Sequence, residues 1–230
     1  SGAQSLGEFY HFYRDLTQIL EPGDFIQKGW QGWWERNASG LYSYIWDDNG
    51  WVEGCFPMGV MSPSSIKIKL TAPSRGHPNF TYGGIGLQTR DDYLVDIVWL
   101  VHDNNGVSST LGGATSLIVG NWYYLEAFIG SDFLVTSKVF NADNKLLAIE
   151  RQQFHDYEVN GKRPCISAWG KRGDVTFSEI IVNRYNKDIR YALGGEESQI
   201  GSSAWVLLHT LASDAAWSTA EIVDTTQKKK

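Results

Sequence analysis

The sequence predicts an all-β protein built from two packed antiparallel sheets. The first observation is the stretch 120–149, where two alternating runs, Trp122 to Ile129 and Phe133 to Phe140, flank a short polar turn. A second turn at 141–144 leads into a third run at 145–149, so the stretch reads as a three-stranded meander. The second observation is that a meander cannot bury its apolar face alone. A second sheet must therefore cover it.

Further runs along the chain supply the other strands. In the run 65–71, Ile66, Ile68 and Leu70 alternate with lysines, which is typical of a half-buried strand. The other predicted strands cover 82–89, 93–102, 163–169 and 175–185. A length of 230 residues suits one large β domain.

Residues 5–20 carry the one good helical pattern in the chain. Their apolar residues recur at helical spacing, and Ser5 and Glu8 fit a capping box in front of them. Pro22 follows directly and would end the helix. We expect a short N-terminal helix, packed either on one end of the sandwich or on a neighbouring domain.

Composition narrows the possible partners. The chain is 42% hydrophobic and has ten Trp, more aromatic side chains than packing alone usually demands, so we expect some rings to bind a ligand. The net charge of -6 and the scattered basic residues disfavour nucleic acid. No run approaches the roughly 18 apolar residues of a membrane span, so no membrane partner is expected. The two cysteines, Cys55 and Cys165, indicate no compartment, and whether they pair stays open.

The aromatic-rich segment 24–51 is the first candidate for ligand binding. Sugar rings present C–H groups to aromatic faces, while their hydroxyls need polar partners. This segment supplies both aromatic rings and polar side chains. Trp33 and Trp34 are adjacent and must point to opposite faces of a strand, so at least one of them should lie outside the core. The alternative is that half of these rings are core residues.

Two positions elsewhere complete the candidate site. Asp96 interrupts an apolar strand, and a carboxylate there must face a polar groove or find a partner. Trp169 stands at a strand end beside the turn 170–173, where its ring could overhang that groove or pack beneath the turn. The candidate carbohydrate-binding residues are Trp33, Trp34, Trp46, Asp91, Asp92, Asp96, Trp169, Lys171 and Arg172.

The order of these pieces resembles a known family. The matching segments are 84–90, 93–98, 120–128, 166–170 and 175–182. Together they look like the concanavalin A-like lectin/glucanase superfamily, nearest its laminin G-like modules. The resemblance implies a jelly-roll sandwich that holds sugar on a concave sheet or its rim loops, with Trp122 as an inward core residue.

That resemblance divides the chain into three parts. Residues 1–23 would be the helix and a connector, 24–185 the jelly-roll carbohydrate-binding domain, and 186–230 an extension or connector. Within the extension, 204–208 can be a short strand, and 213–223 can be a helix or a strand. The parts outside the jelly roll could join domains of a larger parent protein.

The sequence favours binding over catalysis. The superfamily's glycanases carry Glu-x-Asp-x-x-Glu or Glu-x-Asp-x-Glu, and neither spacing occurs here. Its alginate lyases carry Arg-x-Glu-x-Arg and Gln-x-His; the first is absent, and the second occurs only as Gln153-Phe154-His155, without its partner motif. We expect a non-enzymatic module that binds a cell-surface or cell-wall polysaccharide. One such role is host adhesion as part of a phage tail, and the expected location is therefore extracellular or virion-associated. A glycoside hydrolase or lyase, or a laminin G-like protein–protein adhesion module, are the alternatives.

No cofactor is expected, with calcium as the open alternative. The loops 47–50 and 103–106 are rich in oxygen ligands, but both are also good turn sequences. The five His residues are isolated, without a second ligand at metal spacing.

Overall fold

The computed structural model describes residues 4–21, 23–47, 49–57, 63–74, 80–88, 94–130, 132–159, 163–170, 174–185 and 218–224, and of 4–10, 111, 185 and 218–224 it describes the backbone alone. The strands of these residues are β1 (Gln4–Asp15), β2 (Ile26–Trp30), β3 (Gly32–Asn37), β4 (Gly40–Ile45), β5 (Trp51–Cys55), β6 (Ser65–Thr71), β7 (Thr81–Gln88), β8 (Leu94–Asp103), β9 (Gly106–Ser109), β10 (Trp122–Ile129), β11 (Leu134–Asn141), β12 (Leu146–Gln153), β13 (Arg163–Trp169), β14 (Thr176–Tyr185) and β15 (Ser218–Asp224). A 3-10 turn at Thr110–Gly112 and one helical turn, α1 (Asp156–Val159), are the described helices.

These strands form two antiparallel sheets, which confirms the predicted all-β sandwich. The nine-stranded sheet runs in the order β12-β11-β10-β6-β14-β1-β15, and the β3–β4 hairpin joins it where β4 pairs with β14. The six-stranded sheet runs in the order β2-β5-β13-β7-β8-β9. The predicted meander is present as β10, β11 and β12, and the strand predicted at 65–71 is β6, which lies between β10 and β14.

The core lies between the two sheets and is filled by inward-facing residues from both of them. From the nine-stranded sheet, Leu125 and Ile68 are completely or almost completely buried, and Val52, Ile85 and Ile166 face them from the six-stranded sheet. Alternation is the expected result of a pleat with one face on the core and one face outward.

The prediction that Trp122 is an inward core residue is wrong. On β10 the inward series is Tyr123, Leu125, Ala127 and Ile129, all buried. Trp122 precedes this series by one residue, so the pleat turns it to the outward face. There it is half-buried, with the Lys69 ammonium 5.5 Å from its ring centroid.

The prediction of an N-terminal helix is also wrong, because residues 4–15 form β1. This strand pairs antiparallel with β14 through seven residue pairs, from Phe9 opposite Tyr185 to Asp15 opposite Glu179. His11 and Phe12 are adjacent in the strand and are both buried, so each face of β1 is covered at this point. Burial on both faces removes the alternation by which a strand is usually recognised.

At the other end of the chain, residues 218–224 form β15, which pairs with β1. Of the two alternatives for 213–223, the strand is therefore confirmed over the part that is described. The strand predicted at 204–208 lies outside the described residues. The division at residues 23 and 185 into separate parts stays a prediction.

The outward face of the nine-stranded sheet is closed to solvent at its centre. Glu126 and Lys138 are opposite each other on β10 and β11, with Oε1 4.0 Å from Nζ and both side chains almost completely buried. Burial raises the pKa of Glu126 to about 8, and the nearby Lys67 and Lys138 ammonium groups limit that rise.

Candidate functional site

The outward face of the six-stranded sheet carries a row of four aromatic residues. Trp30 on β2 is opposite Trp51 on β5, Trp51 is opposite Trp169 on β13, and Trp169 is opposite Tyr82 on β7. Neighbouring strands lie about 4.8 Å apart, so this aromatic row extends about 15 Å across the sheet, perpendicular to the strands.

Three of these rings line a groove of about 500 Å³ on that face. The groove is lined by Trp51, Val52, Glu53, Phe80, Tyr82, Leu94, Asp96, Trp99, Ser167, Ala168 and Trp169. None of these lining residues is a Lys, Arg or His. The groove therefore combines aromatic walls with carboxylate and hydroxyl groups.

A β-bulge in β8 brings Asp96 and Trp99 into the same groove. Along the β7–β8 ladder, Val98 is opposite Ile85 but Asp96 is opposite Gly86, so Ile97 is the extra residue of the bulge. Without the bulge, Asp96 and Trp99, which are three residues apart, would point to opposite faces of β8. Gly84 permits the close approach of the strands here, because a Cβ at that position would collide with the β8 backbone.

Asp96 is the polar centre of the groove. Its Oδ2 accepts a hydrogen bond from the Tyr82 hydroxyl at 3.2 Å, and its Oδ1 accepts one from the Ser167 hydroxyl at 3.3 Å. Burial raises the pKa of Asp96, and these two hydrogen bonds oppose the rise. Burial, followed by the charge of Asp96, also raises the pKa of Tyr82. The Tyr82 hydroxyl therefore stays protonated, and it and the Ser167 hydroxyl both donate to the carboxylate and orient it.

The Trp169 ring is held in place at the end of the groove. Its Nε1–H donates to the backbone oxygen of Asn49 at 3.1 Å, and its ring contacts Phe80 and Tyr82 at centroid distances of 4.8 and 5.6 Å. Because the indole N–H is already used, a ligand would meet the face of this ring and not its polar edge.

A second group of exposed rings lies on the β3–β4 hairpin. We call it the hairpin cluster: Trp33, Tyr44 and Trp46, which are 46%, 46% and 44% exposed. Trp33 stacks on Tyr44 at 5.2 Å and contacts Trp46 at 4.6 Å between ring centroids. The Trp33 Nε1–H donates to Glu35 Oε1 at 2.6 Å, which fixes the indole.

The structure thus distributes the predicted site residues over three places. Asp96 and Trp169 lie together in the groove, and Trp33 and Trp46 lie in the hairpin cluster. Trp34 is in the core, 8% exposed, edge-on to Phe177, and the proposal that it contacts sugar is therefore corrected. The remaining predicted positions, Asp91, Asp92, Lys171 and Arg172, lie outside the described residues.

Sequence reasoning did not assign Tyr82, Trp99, Ser167 or Phe80 to the site. Strand alternation could have placed Tyr82 and Ser167 on an outward face, because their neighbours in sequence are small or apolar. Nothing in the sequence shows that β5, β13, β7 and β8 are neighbours in that order.

The groove face also carries a disulfide. Cys55 on β5 and Cys165 on β13 are opposite each other and bonded, which answers the question of pairing. They lie four residues along their strands from Trp51 and Trp169. The two strands that present these rings are therefore covalently joined.

Metal binding finds limited support in the part of the chain that the structure describes. No group of three or more His, Cys, Asp or Glu side chains there could hold an ion. In the loop 103–106, Asp103 Oδ1 accepts the Asn105 backbone N–H at 2.7 Å, which is a turn-forming bond. Asp48 of the other loop is not among the described residues. Calcium stays an open alternative.

Comparison with known proteins supports the fold. No family model and no curated protein sequence matches the chain. The Lotus tetragonolobus seed lectin superposes with a TM-score of 0.51 at 10% identity, covering 76% of this chain and 99% of the lectin. Lectin II from Ulex europaeus gives 0.52 at 7% identity over 76% of this chain and 98% of its own. The protein has the concanavalin A-like lectin fold.

Another similar structure is the CBM2 module of the Lactobacillus casei BL23 phage J-1 evolved Dit, with a TM-score of 0.47 and 9% identity over 78% of this chain and 98% of the module.

In the described part of this lectin-like sandwich no helix is long and apolar enough to cross a membrane. The lectin-like fold places the groove on one sheet and the hairpin cluster at the border of the other.

Proposed function

We propose that this lectin-like protein binds carbohydrate in the groove and does not cleave it. The observation that carries the proposal is the placing of Asp96, held by two hydroxyl donors, among the faces of Trp51, Trp99 and Trp169. A sugar ring offers C–H groups to aromatic faces and hydroxyl donors to a carboxylate, so the groove matches both of its surfaces.

The hydrogen bonds of Asp96 explain why it would accept from a ligand. A carboxylate has about four acceptor positions, and Tyr82 and Ser167 use one on each oxygen. The remaining positions can accept sugar hydroxyls, and the two protein donors keep the carboxylate from rotating. Desolvation strengthens such bonds, because little water competes for the acceptor.

The absence of cleavage rests on sequence and on fold. The glycanase spacings and the lyase Arg-x-Glu-x-Arg are missing, and the single Gln-x-His, at 153–155, does not line the groove. The similar structures with TM-scores of 0.51 and 0.52 are both lectins. One observation favours a glycoside hydrolase as the second candidate: Glu53 and Asp96 both line the groove. A retaining glycosidase needs two carboxyl groups roughly 5 Å apart. Asp96 is engaged by two neutral donors, which suits a binding role better than a nucleophile.

The setting we propose is extracellular or virion-associated, with a cell-surface or cell-wall polysaccharide as partner, including host adhesion as part of a phage tail. The Cys55–Cys165 disulfide supports an oxidising environment. Asp91, Asp92, Lys171 and Arg172 stay proposed contacts, since each belongs to a segment adjoining a groove strand. A protein–protein adhesion role is the remaining alternative.

A glycan array combined with a reducing-end assay tests the proposal. We expect binding without new reducing ends, and a loss of about tenfold or more in affinity for Asp96→Asn and Trp51→Ala. Tyr157→Ala is the matched control, because Tyr157 is 70% exposed on α1 and does not line the groove. New reducing ends that disappear in Asp96→Asn would identify an enzyme. Silence in both assays would favour the adhesion role.

A further inference from the structure

The aromatic row does not end with the groove. Trp30, its outermost member, pairs with Trp51 but belongs to β2, the edge strand of the six-stranded sheet. It is 50% exposed and is not among the groove's lining residues. The groove is therefore continued, on its β2 side, by an uncovered indole.

Beyond Trp30 the chain crosses directly to the hairpin cluster. Gln31 has a positive φ of 55° and ends β2, and β3 begins in the other sheet at Gly32. The backbone N–H of Trp46 donates to the Gln31 oxygen at 3.1 Å, so the backbone of Trp46 lies beside the residue that follows Trp30. The groove, Trp30 and the hairpin cluster therefore succeed one another around the same border of the sandwich.

The size of this exposed surface argues against a stable protein interface. Trp30, Trp33, Tyr44 and Trp46 are 50%, 46%, 46% and 44% exposed, which corresponds to about 400 Å² of ring surface. A stable protein interface buries roughly 800 Å² on each partner. A narrow series of rings, with Trp30 followed by the mutually packed hairpin cluster, instead suits a chain-like ligand that contacts the two in succession.

We propose that the ligand is a polysaccharide chain bound along its length, from the groove over Trp30 to the hairpin cluster. This inference rests on the proposed function and specifies its ligand: internal segments of a long chain and not a single terminal sugar. The aromatic row alone extends about 15 Å across the strands, so a chain that uses it and the hairpin cluster must contribute several sugar units.

The test is the dependence of affinity on chain length. The probes are di-, tetra- and octasaccharide fragments of the polysaccharide that binds most strongly on the glycan array, prepared by partial hydrolysis and separated by size, and the readout is calorimetry. We expect the octasaccharide to bind at least about tenfold more tightly than the disaccharide. Trp30→Ala and the double variant Trp33→Ala/Trp46→Ala should remove this gain while disaccharide affinity stays unchanged.

Two controls separate the outcomes. Trp51→Ala, in the groove, should weaken all fragments alike, and Tyr157→Ala should weaken none; circular dichroism checks that each variant is folded. The extended site would be overturned if fragments of all lengths bound with equal affinity. It would also be overturned if Trp30→Ala and the double variant both kept the full increase in affinity with chain length. Either result would leave sugar binding in the groove intact. No binding of any fragment would overturn both proposals.

Discussion

Tyr82 donates its hydroxyl hydrogen to Asp96 at 3.2 Å, at a place where burial disfavours the charged form of each group. The hydrogen bond stabilises the carboxylate but does not fully offset its desolvation, because the pKa of Asp96 remains raised. The groove therefore keeps its acceptor at a cost to the stability of the fold.

The first prediction is that Asp96→Asn becomes more stable relative to the wild type as pH rises from about 4 to 7. A carboxyl with a raised folded pKa contributes stability that is complete below the unfolded pKa of about 3.9 and is lost as pH rises through the folded pKa. Asparagine does not titrate and escapes this loss. Urea unfolding across that pH range measures the stability of Asp96→Asn relative to the wild type. A relative stability that falls as pH rises would contradict the raised pKa of Asp96.

The second prediction separates a core ring from a binding ring. Tyr123→Ala should cost about 3 to 5 kcal/mol of unfolding free energy, because Tyr123 is 6% exposed in the core. Trp169→Ala should cost less and abolish sugar binding, and the half-buried Trp122 should tolerate Ala without loss of binding. If Trp169→Ala lowers the melting temperature as much as Tyr123→Ala and binding per folded molecule is unchanged, Trp169 is a packing residue.

The third prediction concerns the disulfide. Cys55 and Cys165 are 110 residues apart, so reducing their bond frees a long loop in the unfolded chain and should cost about 4 kcal/mol. Guanidinium unfolding with and without dithiothreitol measures this cost. The double variant Cys55→Ala/Cys165→Ala is the control, and dithiothreitol should not change its unfolding free energy.

The fourth prediction is that sugar binding changes little between about 50 and 500 mM NaCl. Among the described residues that line the groove none is a Lys, Arg or His, so stacking and hydrogen bonds to neutral hydroxyls would hold the ligand there. Titration of the octasaccharide at both salt concentrations gives the answer. A tenfold loss would indicate a charged glycan, with Arg90, Lys171 and Arg172 as the first residues to replace.

The fifth prediction is weak binding to short glycans, with dissociation constants of about 10 µM to 1 mM per molecule. An open groove recovers little free energy beyond the cost of ordering a small sugar. Presenting several copies on one particle should then raise the apparent affinity. Nanomolar affinity of the monomer for a disaccharide would require an enclosed site that the groove does not provide.

The sequence predicted strands well wherever one face is buried and one is outward. β6 matches its predicted range because Lys67 and Lys69 alternate with apolar residues there. β10 and β13 also match their predicted ranges. β1 was missed because both His11 and Phe12 are buried, so its pattern carried no period of two. A local helical spacing then gave the wrong prediction, which pairing with β14 overrides.

The candidate site was predictable only residue by residue. Asp96 and Trp169 were found because a carboxylate in an apolar strand and a Trp beside a turn are unusual locally. Their meeting with Trp51 depends on strand order, since Trp51 and Trp169 are neighbours only through the β5–β13 ladder. The bulge at Ile97, which turns Trp99 toward Asp96, leaves no mark on the alternation.

The bond between Cys55 and Cys165 has a mechanical meaning. A polymer attached at Trp51 and Trp169 would pull on β5 and β13, the two strands that the disulfide joins four residues away. Hydrogen-bonded strands can be peeled apart one pair at a time, but these two cannot separate past that point without breaking a covalent bond. The part of the fold that would carry a tethered load is thus the part that resists being pulled open.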